Sequence, residues 1–134
     1  VEFSAYLRSL LAGTVALYSN GSVALDTVVP ERELPTKLAT TLGLILTELA
    51  TNAVKHGFSG VSMPRFSVSM QGDSAGTLTL RVGNNGAPIG TDVEVDNPTS
   101  MGLRLIHALV SQIDGELSIE KSPHPRFTIR FRPE

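Results

Sequence analysis

The segment that decides the fold is LGLILTELATNAVKHGF, residues 42–58. Apolar residues recur in it at every third or fourth position, which is the spacing of one face of an α-helix. With one residue upstream, this apolar face consists of Leu38, Leu42, Ile45, Leu49 and Ala53. Pro35 suits the first position of such a helix, and Gly57 suits a left-handed residue just after its end. We therefore expect a long helix between these two residues, buried along one side.

A polar set shares another side of the same helix: Glu48, Asn52, Lys55 and His56. Asn52 lies one helical turn after Glu48, and the other two follow Asn52 by three and four residues. A carboxylate can position or deprotonate an acceptor, an amide oxygen can ligate Mg²⁺, and an ammonium group can offset phosphate charge. A solvated helix face without chemistry is the alternative explanation.

Periodicity elsewhere in the chain predicts two more helices and five strands. Their predicted order is helix Phe3–Tyr18, turn Asn20-Gly21, strand Ser22–Val29, the long helix, hairpin strands Arg65–Met70 and Thr77–Val82, loop Gly83–Ser100, helix Gly102–Ile113 ended by Gly115, and strands Glu116–Glu120 and Arg126–Arg132. The order αβαββαββ predicts an α+β fold, a two-layer sandwich in which about three helices cover one face of a mixed sheet of about five strands.

Composition limits the class of protein. The 134 residues suit a single domain spanning 1–134, and 11 basic against 13 acidic residues argue against nucleic acid as a partner. The chain has no cysteine, which excludes disulfides and thiol catalysis. No apolar run is long enough to span a membrane, so we expect no membrane contact by this domain. The start at Val1 suggests a piece of a longer protein.

Two further motifs could contact a ligand. In VGNNGAP, residues 82–88, a polar residue at a strand end precedes a glycine by two positions, although Asn-Gly is also a common turn. In TSMGLRL, residues 99–105, a loop enters a helix whose first N–H groups can attract phosphate, although Ser100 could simply cap that helix. The chain contains no P-loop, no dinucleotide fingerprint and no credible zinc site.

The three motifs together resemble the nucleotide-binding motifs of the GHKL superfamily of ATP-binding domains. ELATNAVKHGF resembles its N-box, VGNNGAP its G1 box and SMGLRL its G2 box, in the family's order. LGLILTELATNAVKHGF and GLRLIHALVSQIDGELSI also resemble the catalytic domain of bacterial sensor histidine kinases of the HWE-related class. The strict HWE group carries a Trp-x-Glu motif, which a chain without tryptophan lacks.

The resemblance implies a Bergerat-type fold with an ATP site between the long helix and a lid from Gly86 to Met101. Asn52 would ligate Mg²⁺, and Lys55 would meet the phosphates. Glu48 would be the catalytic residue that orients or deprotonates the acceptor imidazole. The other ATP-binding residues implied are His56, Asn84, Gly86, Ser100, Met101, Gly102 and Leu103.

Two residues depart from the family pattern. Asn84 stands where the family has an adenine-reading Asp, and the loss of a charged hydrogen bond predicts ATP binding weakened about five- to tenfold. Pro88 stands at the second G1 glycine, where its fixed φ would stiffen the lid hinge.

The function implied is the ATP-binding catalytic domain of a two-component sensor histidine kinase. It would transfer the γ-phosphate of ATP to a histidine on a separate dimerisation domain, with a response regulator downstream. We expect a monomeric, cytoplasmic domain, compatible with a membrane-attached parent protein. Two alternatives stay open: a degenerate GHKL domain that acts as a docking module with little ATP affinity, and an anti-sigma serine kinase, whose N-box is similar.

Overall fold

A computed structural model describes residues 1–19 and 22–134, so the predicted Asn20-Gly21 turn lies outside the described residues. Within them the helices are α1 (Phe3–Ser19), α2 (Thr36–Asn52) and α3 (Met101–Gln112), and a π-helical turn, Ala53–Gly57, continues α2. The strands are β1 (Ala24–Val28), β2 (Arg65–Gly72), β3 (Leu78–Asn84), β4 (Glu116–Glu120) and β5 (Arg126–Phe131). The predicted order αβαββαββ is confirmed.

The five strands form one mixed sheet in the order β1-β2-β3-β5-β4. β1 pairs parallel to β2, with Leu25 opposite Phe66, and the remaining neighbours are antiparallel. Because side chains alternate between the two faces of a strand, alternate residues of β2, β3 and β5 form one buried surface. That surface consists of Phe66, Val68, Met70, Leu78, Leu80, Val82, Phe127, Ile129 and Phe131.

The helices cover this surface, and the predicted two-layer α+β sandwich is confirmed. All five residues of the apolar face predicted for the long helix are buried, and Leu42 and Ile45 are fully so. α2 packs between α1 and α3. A side chain at Gly43 would come within 2.6 Å of the Tyr6 hydroxyl, so the small residue lets α1 approach closely.

Both ends of the long helix differ from the sequence prediction. Pro35 is the residue before the helix, with φ −54° and ψ 144°, rather than its first residue. Gly57 ends the π-helical turn, and the glycines with positive φ in the described chain are Gly60 and Gly76 instead. The Gly57 carbonyl accepts a hydrogen bond from the Ala87 N–H at 2.9 Å, which joins the π-helical turn to the loop after β3.

The end of α3 also differs from the prediction. The left-handed residue is Asp114, with φ 53°, and Gly115 follows it. The Asp114 and Gly115 N–H groups donate to Ser111 O at 3.1 Å and Val110 O at 3.0 Å, which closes the helix in a Schellman motif. Asp tolerates the left-handed region, whereas a side chain at Gly115 would lie 3.1 Å from the Arg130 carbonyl oxygen.

Candidate functional site

A cavity of about 430 Å³ lies between α2 with its π-helical turn and the loop 85–100 that leads into α3. Glu48, Asn52 and His56 line one wall, each four residues after the last. Continued helical winding through the π turn keeps them on one side. Three of the four polar residues predicted on this helix therefore lie together. Lys55 is exposed and does not line the cavity, so its contact with phosphate stays a prediction.

The second wall comes from the end of β3. Asn84 continues the core-facing series of Leu80 and Val82, so its side chain lies on the helix side of the sheet and lines the cavity. Its Oδ1 accepts a hydrogen bond from the Gly86 N–H at 2.8 Å. Gly86 itself is buried against the π-helical turn, where a side chain would collide with the backbone of Gly57. The close backbone approach predicted at this glycine is present, but its partner is the protein's own chain.

The third wall is the start of α3. Ser100 is the N-cap residue and lines the cavity, but its hydroxyl makes no capping hydrogen bond. The first intrahelical bond runs from Arg104 N to Ser100 O, so the N–H groups of residues 101–103 precede the helix's own bonds. Gly102 and Leu103 line the cavity, whereas the side chain of Met101 is 77% exposed and lies outside it.

Gly102 brings the start of α3 onto Glu48. A side chain at Gly102 would lie 2.6 Å from Glu48 Oε1 and 3.5 Å from Asn52 Nδ2. A carboxylate near a helix N-terminus is favourable because the helix dipole is positive there. The sequence places Gly102 about fifty positions after Glu48 and Asn52, in a different motif. The fold brings a carboxylate, an amide and the start of a helix together in the cavity lining.

Two histidines fix the loop 85–100, and sequence reasoning gave them no role in the site. His107 Nε2 lies 2.6 Å from Val95 O, and His124 Nδ1 lies 2.8 Å from Gly86 O. The Ile89 N–H donates to Lys121 O at 3.0 Å. These contacts span 12 to 38 residues, so no local pattern could have indicated them. They join the loop to α3 and to the segment between β4 and β5.

Comparison with known proteins places this chain in a family. The family described as "Histidine kinase-, DNA gyrase B-, and HSP90-like ATPase" matches residues 38–134. The chain belongs to this ATPase family. The predicted superfamily of ATP-binding domains is thereby confirmed, and the matched residues 38–134 include every site residue that the sequence predicts.

Two curated relatives of the ATPase domain come from Erythrobacter litoralis. Blue-light-activated histidine kinase 2 is 27% identical over 125 residues, which cover 90% of this chain and 35% of the relative. Blue-light-activated histidine kinase 1 is 31% identical over 112 residues, which cover 83% of this chain and 31% of the relative. The ATPase domain thus spans about a third of the length of these kinases.

Solved structures share the fold of the ATPase domain. The histidine kinase domain of an Erythrobacter litoralis blue-light-activated kinase has a TM-score of 0.90 at 22% identity, over 99% of this chain and 62% of that one. The Acinetobacter baumannii histidine kinase AdeS has a TM-score of 0.79 at 17% identity, over 99% of this chain and 66% of that one. None of the described helices has the length and apolar character that a membrane crossing requires.

Proposed function

We propose that this domain binds Mg-ATP and is the catalytic domain of a two-component sensor histidine kinase. The observation that carries the proposal is the convergence of Glu48, Asn52 and the start of α3 at Gly102 on one cavity. A carboxylate, an amide and unbonded helix N–H groups are the groups that a phosphoryl transfer to an imidazole requires.

The cavity lining offers groups for both the base and the phosphates of a nucleotide. Ala53 and Phe127 are buried apolar residues in its lining, and Asn84 stands beside Phe127's strand as a polar group. This end fits a flat base with one hydrogen-bonding edge. Glu48, Asn52 and Gly102 lie together elsewhere in the lining and fit the charged end of the ligand.

The donor set fits magnesium as a partner of the phosphates rather than as a resident ion. The described residues contain no group of three acidic or histidine side chains that could hold a metal. Mg²⁺ is commonly held by one or two protein oxygens together with substrate phosphates, and the Asn52 amide oxygen would supply one of them. The ion would neutralise phosphate charge.

The transfer step assigns a role to Glu48. The lone pair of an imidazole nitrogen attacks the γ-phosphorus, a nitrogen–phosphorus bond forms, and the bond to the bridging oxygen breaks as ADP leaves. Glu48 accepts a hydrogen bond or the proton from the other ring nitrogen, which increases the nucleophilicity of the attacking one. N–H groups near Ser100, Met101, Gly102 and Leu103 would bind the phosphates, and His56 and Lys55 would lie beside them.

The acceptor histidine belongs, in this proposal, to a separate dimerisation domain, and a response regulator receives the phosphate afterwards. The relatives' names support this, because both are histidine kinases and both are about three times longer than the matched segment. Exposed apolar side chains border the site on α2 and α3 and could receive an acceptor helix: Leu44, Met101 and Leu105. We propose a monomeric, cytoplasmic catalytic domain.

Calorimetric titration with ATP, with and without Mg²⁺, tests the proposal on the parent, Asn52→Ala and Gln71→Ala. Gln71 is the matched control because it is an exposed amide side chain of β2 that lies outside the cavity lining and the lid. We expect Asn52→Ala to lose about tenfold or more of the Mg-dependent affinity, since an oxygen ligand of the ion is lost, while Gln71→Ala binds as the parent does.

Two outcomes would favour the other assignments. Absence of Mg-ATP binding by the parent indicates the degenerate docking module, whereas micromolar binding excludes it. Phosphate transfer to a serine of an antagonist protein, and none to a histidine-bearing dimerisation domain, indicates the anti-sigma serine kinase. Acid-labile phosphohistidine on the added dimerisation domain indicates the histidine kinase.

A further inference from the structure

The Asn84 side chain in the cavity lining has a fixed orientation. Asn84 is anchored by its backbone, because its N–H donates to Pro125 O at 3.4 Å. Its side-chain Oδ1 accepts from the Gly86 N–H at 2.8 Å. Turning the amide over would place the Asn84 NH₂ group against the Gly86 N–H, and two donors cannot bond to each other. The chemistry of the contact therefore assigns the oxygen to Gly86.

The same contact determines what remains for a ligand. The Asn84 NH₂ group makes no hydrogen bond within the described residues, and it is not sealed from solvent, since no unpartnered buried side-chain polar atom occurs there. Asn84 lines the cavity and its oxygen is engaged by Gly86, so the NH₂ group is the part of this side chain left to bond a ligand. An aspartate in the same position would offer an acceptor oxygen instead.

We propose that Asn84 makes this domain a binder of 6-oxopurine nucleoside triphosphates, which it takes at least as well as ATP. The inference rests on the proposed function, because it deepens the identity of the phosphoryl donor in the same cavity. In this proposal the C6 edge of the purine lies toward Asn84, where the amino group at C6 of adenine would face the Asn84 donor. Hypoxanthine and guanine carry an oxygen at C6, which accepts a hydrogen bond from it.

A site that leaves a polar group unpaired discriminates against the ligand that fails to pair it. ATP and ITP differ only at C6 and in the protonation of N1, so the ratio of their dissociation constants isolates this contact. Other properties of the cavity, including its phosphate-binding groups, act on both nucleotides alike and cancel in the ratio.

The experiment is calorimetric titration of the parent, Asn84→Asp and Gln71→Glu with ATP and with ITP. Gln71→Glu makes the same amide-to-carboxylate change at an exposed residue of β2, outside the cavity lining and the lid. We expect the parent to bind ITP at least as tightly as ATP. Asn84→Asp should raise the ratio Kd(ITP)/Kd(ATP) about tenfold or more, and Gln71→Glu should leave it unchanged. Thermal unfolding of each variant checks that the fold is retained.

The contrary outcomes distinguish a failure of the 6-oxopurine inference from a failure of the proposed nucleotide-binding function. An equal ratio in the parent and Asn84→Asp, or a parent that binds ATP and excludes ITP, overturns the inference and leaves the proposed function standing. A parent that binds neither nucleotide, with ATP binding gained in Asn84→Asp, overturns the inference and indicates a disabled base pocket. Folded variants that bind no nucleotide at all refute the proposed function together with the inference.

Discussion

Gly86→Ala should destabilise the protein more than any exposed glycine substitution. Gly86 is buried where the loop after β3 crosses the π-helical turn, and an added methyl group would collide with the Gly57 carbonyl oxygen. It would also lie 2.7 Å from the Gly57 carbonyl carbon and 2.8 Å from Asn84 Oδ1. Two of these three atoms are backbone, so no side-chain rotation can relieve the contact.

The magnitude follows from what must move. Overpacking of a tight site costs about 1–3 kcal/mol. Displacing the loop also weakens the hydrogen bond from Ala87 N to Gly57 O, which is 2.9 Å long, and a bond of this kind contributes about 0.5–1.5 kcal/mol. We therefore expect Gly86→Ala to lower the free energy of unfolding by about 2–4 kcal/mol.

Urea denaturation of the parent, Gly86→Ala and Gly13→Ala measures this loss. Gly13 lies within α1 with no atom within 4 Å of an added methyl group, so alanine there should stabilise the protein by up to about 1 kcal/mol through helix propensity. The same chemical change then has opposite signs at two sites. An unfolding free energy for Gly86→Ala within about 0.5 kcal/mol of the parent value would refute the packing argument.

Three further predictions address catalysis, pH and the core. Glu48→Gln should keep nucleotide affinity but slow phosphate transfer to an added dimerisation domain about 10²-fold, because the amide is not a base; an unchanged transfer rate would exclude Glu48 as the catalytic group. The Ser4 hydroxyl, with backbone N–H groups including that of Arg32, lowers the pKa of Glu2 from 4.5 to about 2. The stabilisation by Glu2 is therefore present above pH 4.5 and is lost as the pH falls toward 2. The difference in urea midpoint between the parent and Glu2→Gln should narrow over that pH interval. A difference that stays constant with pH contradicts this prediction. Leu42 is fully buried, so Leu42→Ala should lower the free energy of unfolding in urea by about 2–5 kcal/mol. The Leu44 side chain is 54% exposed, so Leu44→Ala should lower it by less than about 0.5 kcal/mol. Similar losses for the two variants would contradict the predicted burial of the helix face.

Much of the fold could be predicted because its periodicities are local. The apolar spacing of Leu38 to Ala53 indicated the buried side of α2, and the alternation in β2, β3 and β5 indicated the buried face of the sheet. Helix ends were predicted less well. Gly57 and Gly115 have the residue type of a left-handed cap, but neither has a positive φ. Gly115 is favoured instead by a close approach, because a side chain there would lie 3.1 Å from the Arg130 carbonyl oxygen.

The candidate site divides in the same way. Glu48, Asn52 and His56 could be grouped from sequence because helical spacing fixes their relative positions. Lys55 lies outside the cavity lining because of where the loop lies in space. The anchoring of the loop by His107 and His124 depends on the same placement. No spacing rule applies between segments that meet only after folding.

The sequence by itself determined the family, the order of elements and the residue types of the site, because each is encoded over a few consecutive turns or strand positions. The tertiary structure alone decided that Gly102 lies against Glu48 and that Gly86 lies against Gly57. Those contacts join segments whose approach is set by packing of the helices on the sheet. Packing is a property of the whole chain, so these two approaches could be determined only from the folded protein.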